Sequence, residues 1–339
     1  MSILVTGGTG FIGSHTVVQM LQAGMDVVIA DNFSNSKPCV LDRIEQITGK
    51  RPAFELCDLC DKDALEQVFK KHPGITGSIH FAGLKAVGES VRMPVEYYRN
   101  NLNSTMNLIT LSEKYNAKRI VFSSSATVYG KPKSVPIRED FERSCTNPYG
   151  ETKLIIEYLL EDVVRADPEW SAVVLRYFNP IGAHPSGLIG EDPKGIPNNL
   201  LPYVSKVANG KLPFVHVFGN DYATHDGTGV RDYIHVVDLA DAHLHAVRYA
   251  ESRKGIDFIN LGTGTGYSVL DIIDAYSRVS GKKIPYQIEA RRPGDIDECY
   301  ACPDKALKVL GWKARFNLDD MCRDSDNWQS KNPDGYPEK

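Results

Sequence analysis

The sequence predicts an α/β fold: a doubly wound parallel sheet with a smaller, interleaved α/β subdomain. Three observations carry this. Short apolar runs alternate with amphipathic helical patterns through the first 178 residues, as in a parallel sheet covered by helices on both faces. The first apolar run breaks into a glycine-rich turn that opens a helix. Beyond residue 179 the composition shifts to a loop-rich stretch with many Gly, Pro and Asn, which runs to about residue 235 and marks a second region.

The elements follow in order. Ile3-Leu4-Val5 reads as a buried strand. Val17, Val18 and Leu21 mark the first helix, closed by Gly24. A second strand covers 26–30, and Val40, Leu41, Ile44 and Ile47 mark the next helix. The third strand covers 53–56, and Asp61 caps a helix carrying Leu65, Val68 and Phe69. The fourth strand is 78–81, a long helix follows Pro94, the fifth strand is 119–122 and the sixth is 172–177. Residues 258–261 form a strand that can return to the main sheet. Gly262, Gly264 and Gly266 read as a strand-to-helix turn, with Ser268 capping and Asp271 three residues later. Pro303 opens another helix, and the tail after Trp328 is polar.

Thr6-Gly7-Gly8-Thr9-Gly10-Phe11-Ile12-Gly13 sits between the first strand and its helix. Glycines three apart allow a tight turn and let backbone N–H groups approach a pyrophosphate at the helix N-terminus. The second strand ends in Asp31, at the place of a carboxylate that binds adenosine ribose hydroxyls. Its charge repels a 2′-phosphate, which favours NAD over NADP. In the second informative stretch, 147–153, Asn147 suits an N-cap and Pro148 the first helical position. Tyr149 and Lys153 then share one helix face. A phenol is a weak base at neutral pH, and a nearby ammonium stabilises the phenolate. Such a pair can take a proton from an alcohol as hydride leaves the same carbon.

Composition narrows the partners. The chain has 339 residues, a net charge of −4 and no basic run, which argues against nucleic acid or an anionic membrane as partner. No stretch is apolar enough to span a bilayer, and the early first strand leaves no room for a signal peptide, so a cytoplasmic protein with seven reduced cysteines is expected. Cys57/Cys60 and Cys299/Cys302 form two CxxC pairs, but most of the chain lies between them. They read as packed or surface thiols, and no metal is expected.

On these residues the chain resembles the extended short-chain dehydrogenase/reductases, and among them the nucleotide-sugar 4-epimerases. The likeness runs nearly end to end, through 6–13, 80–90, 122–130, 175–187, 190–201, 227–235 and 291–295. It implies a Rossmann-type NAD domain over 1–178, with 230–262 returning to it, and a UDP-sugar subdomain over 179–339. It implies tightly held NAD on Gly7, Gly10, Phe11, Ile12, Gly13, Asp31, Asn32, Asp58, Leu59, Phe81, Ala82, Gly83, Lys85, Asn100, Ser125, Tyr149, Lys153 and Phe178. Tyr149 is the implied catalytic acid and base, Lys153 binds the nicotinamide ribose and tunes it, and Ser125 hydrogen-bonds the sugar 4-oxygen. The implied UDP-hexose contacts are Lys85, Ser125, Thr127, Tyr149, Asn179, Asn199, Leu200, Phe218, Arg231, Arg292, Asp295 and Cys299. Taken singly, without the resemblance, the asparagines read as turn residues and Phe218 as core, while guanidinium forks such as Arg231 and Arg292 match a diphosphate.

The implied reaction interconverts UDP-galactose and UDP-glucose through transient oxidation at C4, rotation of the 4-keto sugar and hydride return. Some relatives carry tyrosine at the position of Cys299, and the smaller cysteine leaves room for N-acetylhexosamine sugars. A nucleotide-sugar 4,6-dehydratase is the alternative within the fold, but it usually needs Asp-Glu after a threonine where this chain has Ser125-Ala126-Thr127. A non-catalytic NAD-sensing protein is the alternative from another class, and such chains often lose the Tyr or Lys. The resemblance also implies a homodimer through the helices after Pro94 and from Pro148, where Leu154, Ile155, Tyr158 and Leu159 can serve core and partner alike.

Overall fold

The structure, a computed structural model, describes residues 2–192, 197, 199–292 and 294–337. Parts of the 190–201 and 291–295 stretches, namely 193–196, 198 and 293, lie outside the described residues.

The first half alternates strand and helix: β1 (Ser2–Thr6), α1 (Phe11–Gln22), β2 (Asp26–Asp31), α2 (Cys39–Thr48), β3 (Ala53–Leu56), α3 (Lys62–Lys71), β4 (Ile75–His80), α4 (Val87–Arg92), α5 (Pro94–Lys114), β5 (Arg119–Ser125), α6 (Pro148–Ala166) and β6 (Ser171–Tyr177). The second half contains β7 (Asn179–Ile181), α7 (Leu200–Ala208), β8 (Val215–Phe218), β9 (Val230–His235), α8 (Val236–Glu251), β10 (Gly255–Leu261), β11 (Gly266–Ser268), α9 (Val269–Ser280), β12 (Tyr286–Glu289), β13 (Glu298–Cys299), α10 (Asp304–Leu310) and α11 (Leu318–Lys331).

Seven parallel strands form the main sheet in the order β10-β6-β5-β4-β1-β2-β3. The chain reverses its direction of travel between β1 and β4, and in such sheets ligands bind at the carboxyl ends of the strands beside that point. One apolar core includes Val5, Val17, Val18, Ile29, Val121 and Val247. A second, including Leu4, Val28, Leu65, Phe69, Leu108 and Phe122, fills the other face. The odd and even residues of β1 divide between them, as a strand buried on both sides requires.

The segment 230–262 divides: β9 lies in a small sheet with β7, β11 and β13, while β10 joins the main sheet and α8 packs on α1. A third core, with Val204, Val217, Ile272, Tyr276 and Met321, holds α7, β8, α9 and α11 together. Ser268 and Asp271 form a capping box on α9. The glycines before it do not turn straight into the helix, because 266–268 pairs antiparallel with β9.

Candidate functional site

The first layer of the site is the turn between β1 and α1. Gly7 N donates to Ala30 O and Gly10 N to Gly7 O, closing a tight loop. Gly13 packs so closely that a Cβ there would lie 2.2 Å from Gly7 O. Gly10 caps α1 without a side-chain acceptor, and the first turn holds no acid. The N–H groups at this helix end are therefore free to meet an anion. Phe11 and Ile12 form that first turn.

Asp31 ends β2 and is 8% exposed. Its carboxylate accepts from Thr9 N at 3.1 Å, Phe33 N at 2.9 Å and Ser36 Oγ at 3.2 Å, which fixes its direction. Asn32 donates to Asp58, whose other oxygen accepts from Cys60 N, so these groups and Leu59 gather beyond β2 and β3. Asn100 reaches the same corner, donating to the Cys60 sulfur. Phe81 N donates to Thr6 O and Ala82 N to Thr6 Oγ1, carrying the segment after β4 beside the loop.

Sequence reasoning missed Asn101. It is 2% exposed, clasps Leu84 through both backbone groups and donates to Thr152 Oγ1 at 3.0 Å. Thr152 in turn donates to Tyr149 O, so one side chain ties the 83–84 turn to α6. Spacing carries no signal for such a long-range clasp.

At the end of β5, Ser125 Oγ accepts from Thr127 N at 3.2 Å and starts a 3-10 turn, Ala126–Tyr129. Asn147 caps α6 through Gly150 N at 2.9 Å, with Pro148 in the first turn. That start aims Tyr149 and Lys153 at the end of β5. Lys153 Nζ donates to Ser123 O at 2.6 Å and stands 5.8 Å from the Tyr149 ring centre. Burial pushes the Tyr149 phenol up to about 12, while a hydrogen bond with Ser125 pulls the other way. Burial also brings the Lys153 ammonium down to about 8, opposed by Glu157. The chain alone thus keeps Tyr149 protonated, because desolvation outweighs the Ser125 hydrogen bond.

Thr127 Oγ1 is buried with no partner among the described residues. An orphan hydroxyl beside Ser125 suits a ligand hydroxyl. Phe178, 5% exposed, packs nearby with Val128, Leu154 and Ala301, and Cys299 lies against that cluster. Burial pushes the Cys299 thiol up to about 11.

Below Lys153 lies an ion pair that the sequence did not reveal. Glu157, fully buried, accepts from Arg176 Nε at 3.0 Å and NH2 at 2.8 Å, and from Ser124 Oγ at 2.6 Å. Its signal was present but weak: Glu157 stands one turn beyond Lys153 on the same helix face.

The second region supplies the other wall. Arg231 NH2 stands 3.9 Å from Asp295 Oδ1, and Arg292 Nε donates to Asp295 Oδ2 at 2.9 Å. Two guanidinium groups thus share one carboxylate. Arg292 also lies over the Phe218 ring at 4.9 Å. Cys299 pairs with Arg231 between β13 and β9. Glu191, also missed, accepts from Lys85 Nζ at 3.3 Å and Asn199 Nδ2 at 2.8 Å, bringing those two together. Leu200 starts α7 beside Asn199, and Asn179 starts β7 after Phe178. The geometry gathers the residues expected for a dinucleotide on one side and two arginines on the other. The His225, Asp226 and Asp271 side chains cluster at the start of α9, but Asp271 caps that helix and Asp226 accepts from Ser268 and Thr228.

Residues 3–262 match the NAD dependent epimerase/dehydratase family. The chain is 58% identical over 336 residues to the UDP-glucose 4-epimerase of Bacillus subtilis, covering 99% of each chain. Its fold matches the crystal structure of UDP-glucose 4-epimerase from Bifidobacterium longum in complex with NAD+ and UDP, with a TM-score of 0.95 and 56% identity over 99% of this chain and 100% of that one. It also matches UDP-glucose-4-epimerase from Stenotrophomonas maltophila with bound NAD and formylated UDP-arabinopyranose, with a TM-score of 0.96 and 46% identity over 98% and 99% of the two chains.

Proposed function

The chain belongs to the NAD dependent epimerase/dehydratase family, and on that premise we propose how its residues perform an NAD-dependent interconversion of UDP-galactose and UDP-glucose. The observation that carries the assignment of roles is the meeting of Ser125, Tyr149 and Lys153 at the end of β5, next to the glycine cradle.

The residues present fit NAD. The uncapped start of α1 and the close approach at Gly13 suit the diphosphate, and Asp31, Asn32 and Asp58 suit the adenosine half. Phe81, Ala82, Gly83, Lys85, Asn100 and Phe178 line the remainder. When bound, NAD supplies a reversible hydride acceptor, whose positive ring also lowers the Tyr149 pKa. Tyr149 takes the proton of the sugar 4-hydroxyl and later returns it to the same oxygen. Ser125 hydrogen-bonds that oxygen, and Thr127, with its free hydroxyl, lies alongside. Lys153, held by Ser123 O, keeps a positive charge near the phenol. Arg231 and Arg292 anchor the diphosphate while the sugar turns, and Phe218 packs on the uracil. Asn179, Asn199, Leu200 and Asp295 complete the contacts.

Cys299 leaves room beside the sugar, which supports use of N-acetylhexosamine sugars as well. The exposed Val95 and Met106 of α5 and Ile155 and Tyr158 of α6 support a homodimer through these helices. Ile155→Asp, read by sedimentation velocity, is expected to give monomers. Among the described residues no helix is long and apolar enough to cross a membrane, and the reduced cysteines support a cytoplasmic setting.

The dehydratase and NAD-sensing readings are not favoured, given relatives at this identity and the intact Tyr149–Lys153 pair. The test is proton NMR of purified protein with UDP-galactose and no added cofactor. Appearance of UDP-glucose is expected. Silence that persists after adding NAD would overturn the assignment.

A further inference from the structure

The stretch that carries Glu191 is held by the far end of the chain. Tyr336, in the segment after α11, is buried and meets both backbone groups of Gly190. Its hydroxyl accepts from Gly190 N at 3.1 Å and donates to Gly190 O at 3.3 Å. Gly190 also lies against the Trp328 indole of α11, so close that a Cβ at 190 would stand 2.5 Å from the ring. Asp192 is held too. Its Oδ2 accepts from Tyr336 N at 2.9 Å and lies 3.7 Å from Lys37 Nζ, which donates to Tyr336 O at 2.8 Å. Upstream, Asn332 donates to Gly187 O at 3.0 Å. Arg43 of α2 donates to Leu188 O and to Asn332 Oδ1, each at 3.3 Å.

Glu191 stands between the two held residues. Its carboxylate accepts from Lys85 Nζ at 3.3 Å and from Asn199 Nδ2 at 2.8 Å. Bridging two side chains from distant parts of the chain costs conformational entropy, and a backbone fixed in advance lowers that cost. A tail that merely covered the core would need only the Tyr336 ring. Instead the Tyr336 hydroxyl and backbone N–H are both directed at the residues flanking Glu191.

We propose that Tyr336 is a positioning residue for substrate binding: by holding Gly190 and Asp192 it sets Glu191, which orients Lys85 from the cofactor side and Asn199 from the sugar side. The proposal rests on the reading of Lys85 and Asn199 as cofactor and substrate contacts. Tyr336 acts through 190–192, so its effect falls on binding and not on the chemical step at C4.

The test uses the holoenzyme saturated with NAD, as Tyr336→Phe, Glu191→Ala and the two combined. Tyr336→Phe keeps the ring and removes the hydroxyl. KM for UDP-galactose should rise by about fivefold, the effect of one lost hydrogen bond, while kcat stays within about twofold. Glu191→Ala should raise KM at least as much. In the Glu191→Ala background, Tyr336→Phe should add nothing to KM, although it lowers the thermal midpoint in both backgrounds. Asp192→Asn weakens the second hold and keeps the hydroxyl; it should repeat the pattern, and it carries the test if Tyr336→Phe folds poorly. An unchanged KM for Tyr336→Phe overturns the proposal. So do increases that multiply in the double variant, because the tail would then act on the fold and not through Glu191. If Glu191→Ala left KM unchanged, the reading of Lys85 and Asn199 would fall and the proposal with it.

Discussion

Replacing Arg176 by Met tests the buried ion pair beneath the active site. Glu157 is fully buried and Arg176 is 1% exposed, and two of the guanidinium nitrogens hold the carboxylate at 2.8 and 3.0 Å. Arg176 NH1 also donates to Tyr129 OH at 2.7 Å and to Glu139 O at 3.1 Å. Removing one partner from such a pair leaves a charge buried and unanswered, at a cost of about 3–5 kcal/mol. Two contacts lower that figure here, since Glu157 also accepts from Arg143 NH1 at 3.3 Å and from Ser124 Oγ at 2.6 Å. The expected loss for Arg176→Met is therefore about 3 kcal/mol. The double variant Glu157→Leu/Arg176→Met removes both charges of the pair and should lose less than that. Urea unfolding of all forms, each with the same excess of NAD, measures the difference, since bound ligand adds its own stability. The pair is dry, so the loss should change little between low and high salt. A loss for Arg176→Met below about 1 kcal/mol, or a double variant at least as weak as the two single changes summed, would refute the reasoning.

Three further outcomes are expected. Gly13→Ala sets a methyl group 2.2 Å from Gly7 O, so the loop must open; the purified variant should have lost its NAD, read by cofactor released on denaturation. Activity should fall as pH rises through about 8, because Lys153 loses its proton there and with it the charge that stabilises the Tyr149 phenolate, and a kcat/KM profile checks it. The fall should not reflect unfolding: burial lowers the Lys153 pKa below its ordinary value of 10.5, so between the two values the unfolded chain binds more protons and this group's contribution favours folding as pH rises. Finally, Cys299→Tyr should suppress turnover of UDP-N-acetylgalactosamine and spare UDP-galactose, and equal persistence of both activities by NMR would remove the gate.

The parts of the fold legible in the sequence are those with a local cause. The turn 6–13 is readable because its glycines, the strand before it and the helix after it are contiguous, and so is the start of α6, where Asn147 and Pro148 leave little choice of register. The strands of the main sheet are apolar runs, and all seven predicted ones fall within it. The boundaries moved where pairing decides them: β4 stops at His80, and β5 runs on to Ser125 because β6 pairs with it that far.

The second region was harder. β11 and β13 hold three and two residues, too few for a period, and they exist because β9 offers both edges. Long-range contacts were invisible for the same reason. Asn101 and Glu191 look like ordinary polar residues until the fold places Leu84 or Lys85 against them. Glu157 and Arg176 are the plainest case, since charged residues in sequence read as solvent-facing and only packing reveals that both are buried.

The position of β10 bears on how the chain is made. It pairs along the whole of β6, from Gly255 with Ser171 to Leu261 with Tyr177. During synthesis β6 leaves the ribosome well before its neighbour exists. Until residues 255–261 emerge, the apolar β6 is the open edge of the nascent sheet. The main sheet therefore cannot close before most of the second half of the chain has been translated, which couples the making of the two halves as their side chains couple them at the site.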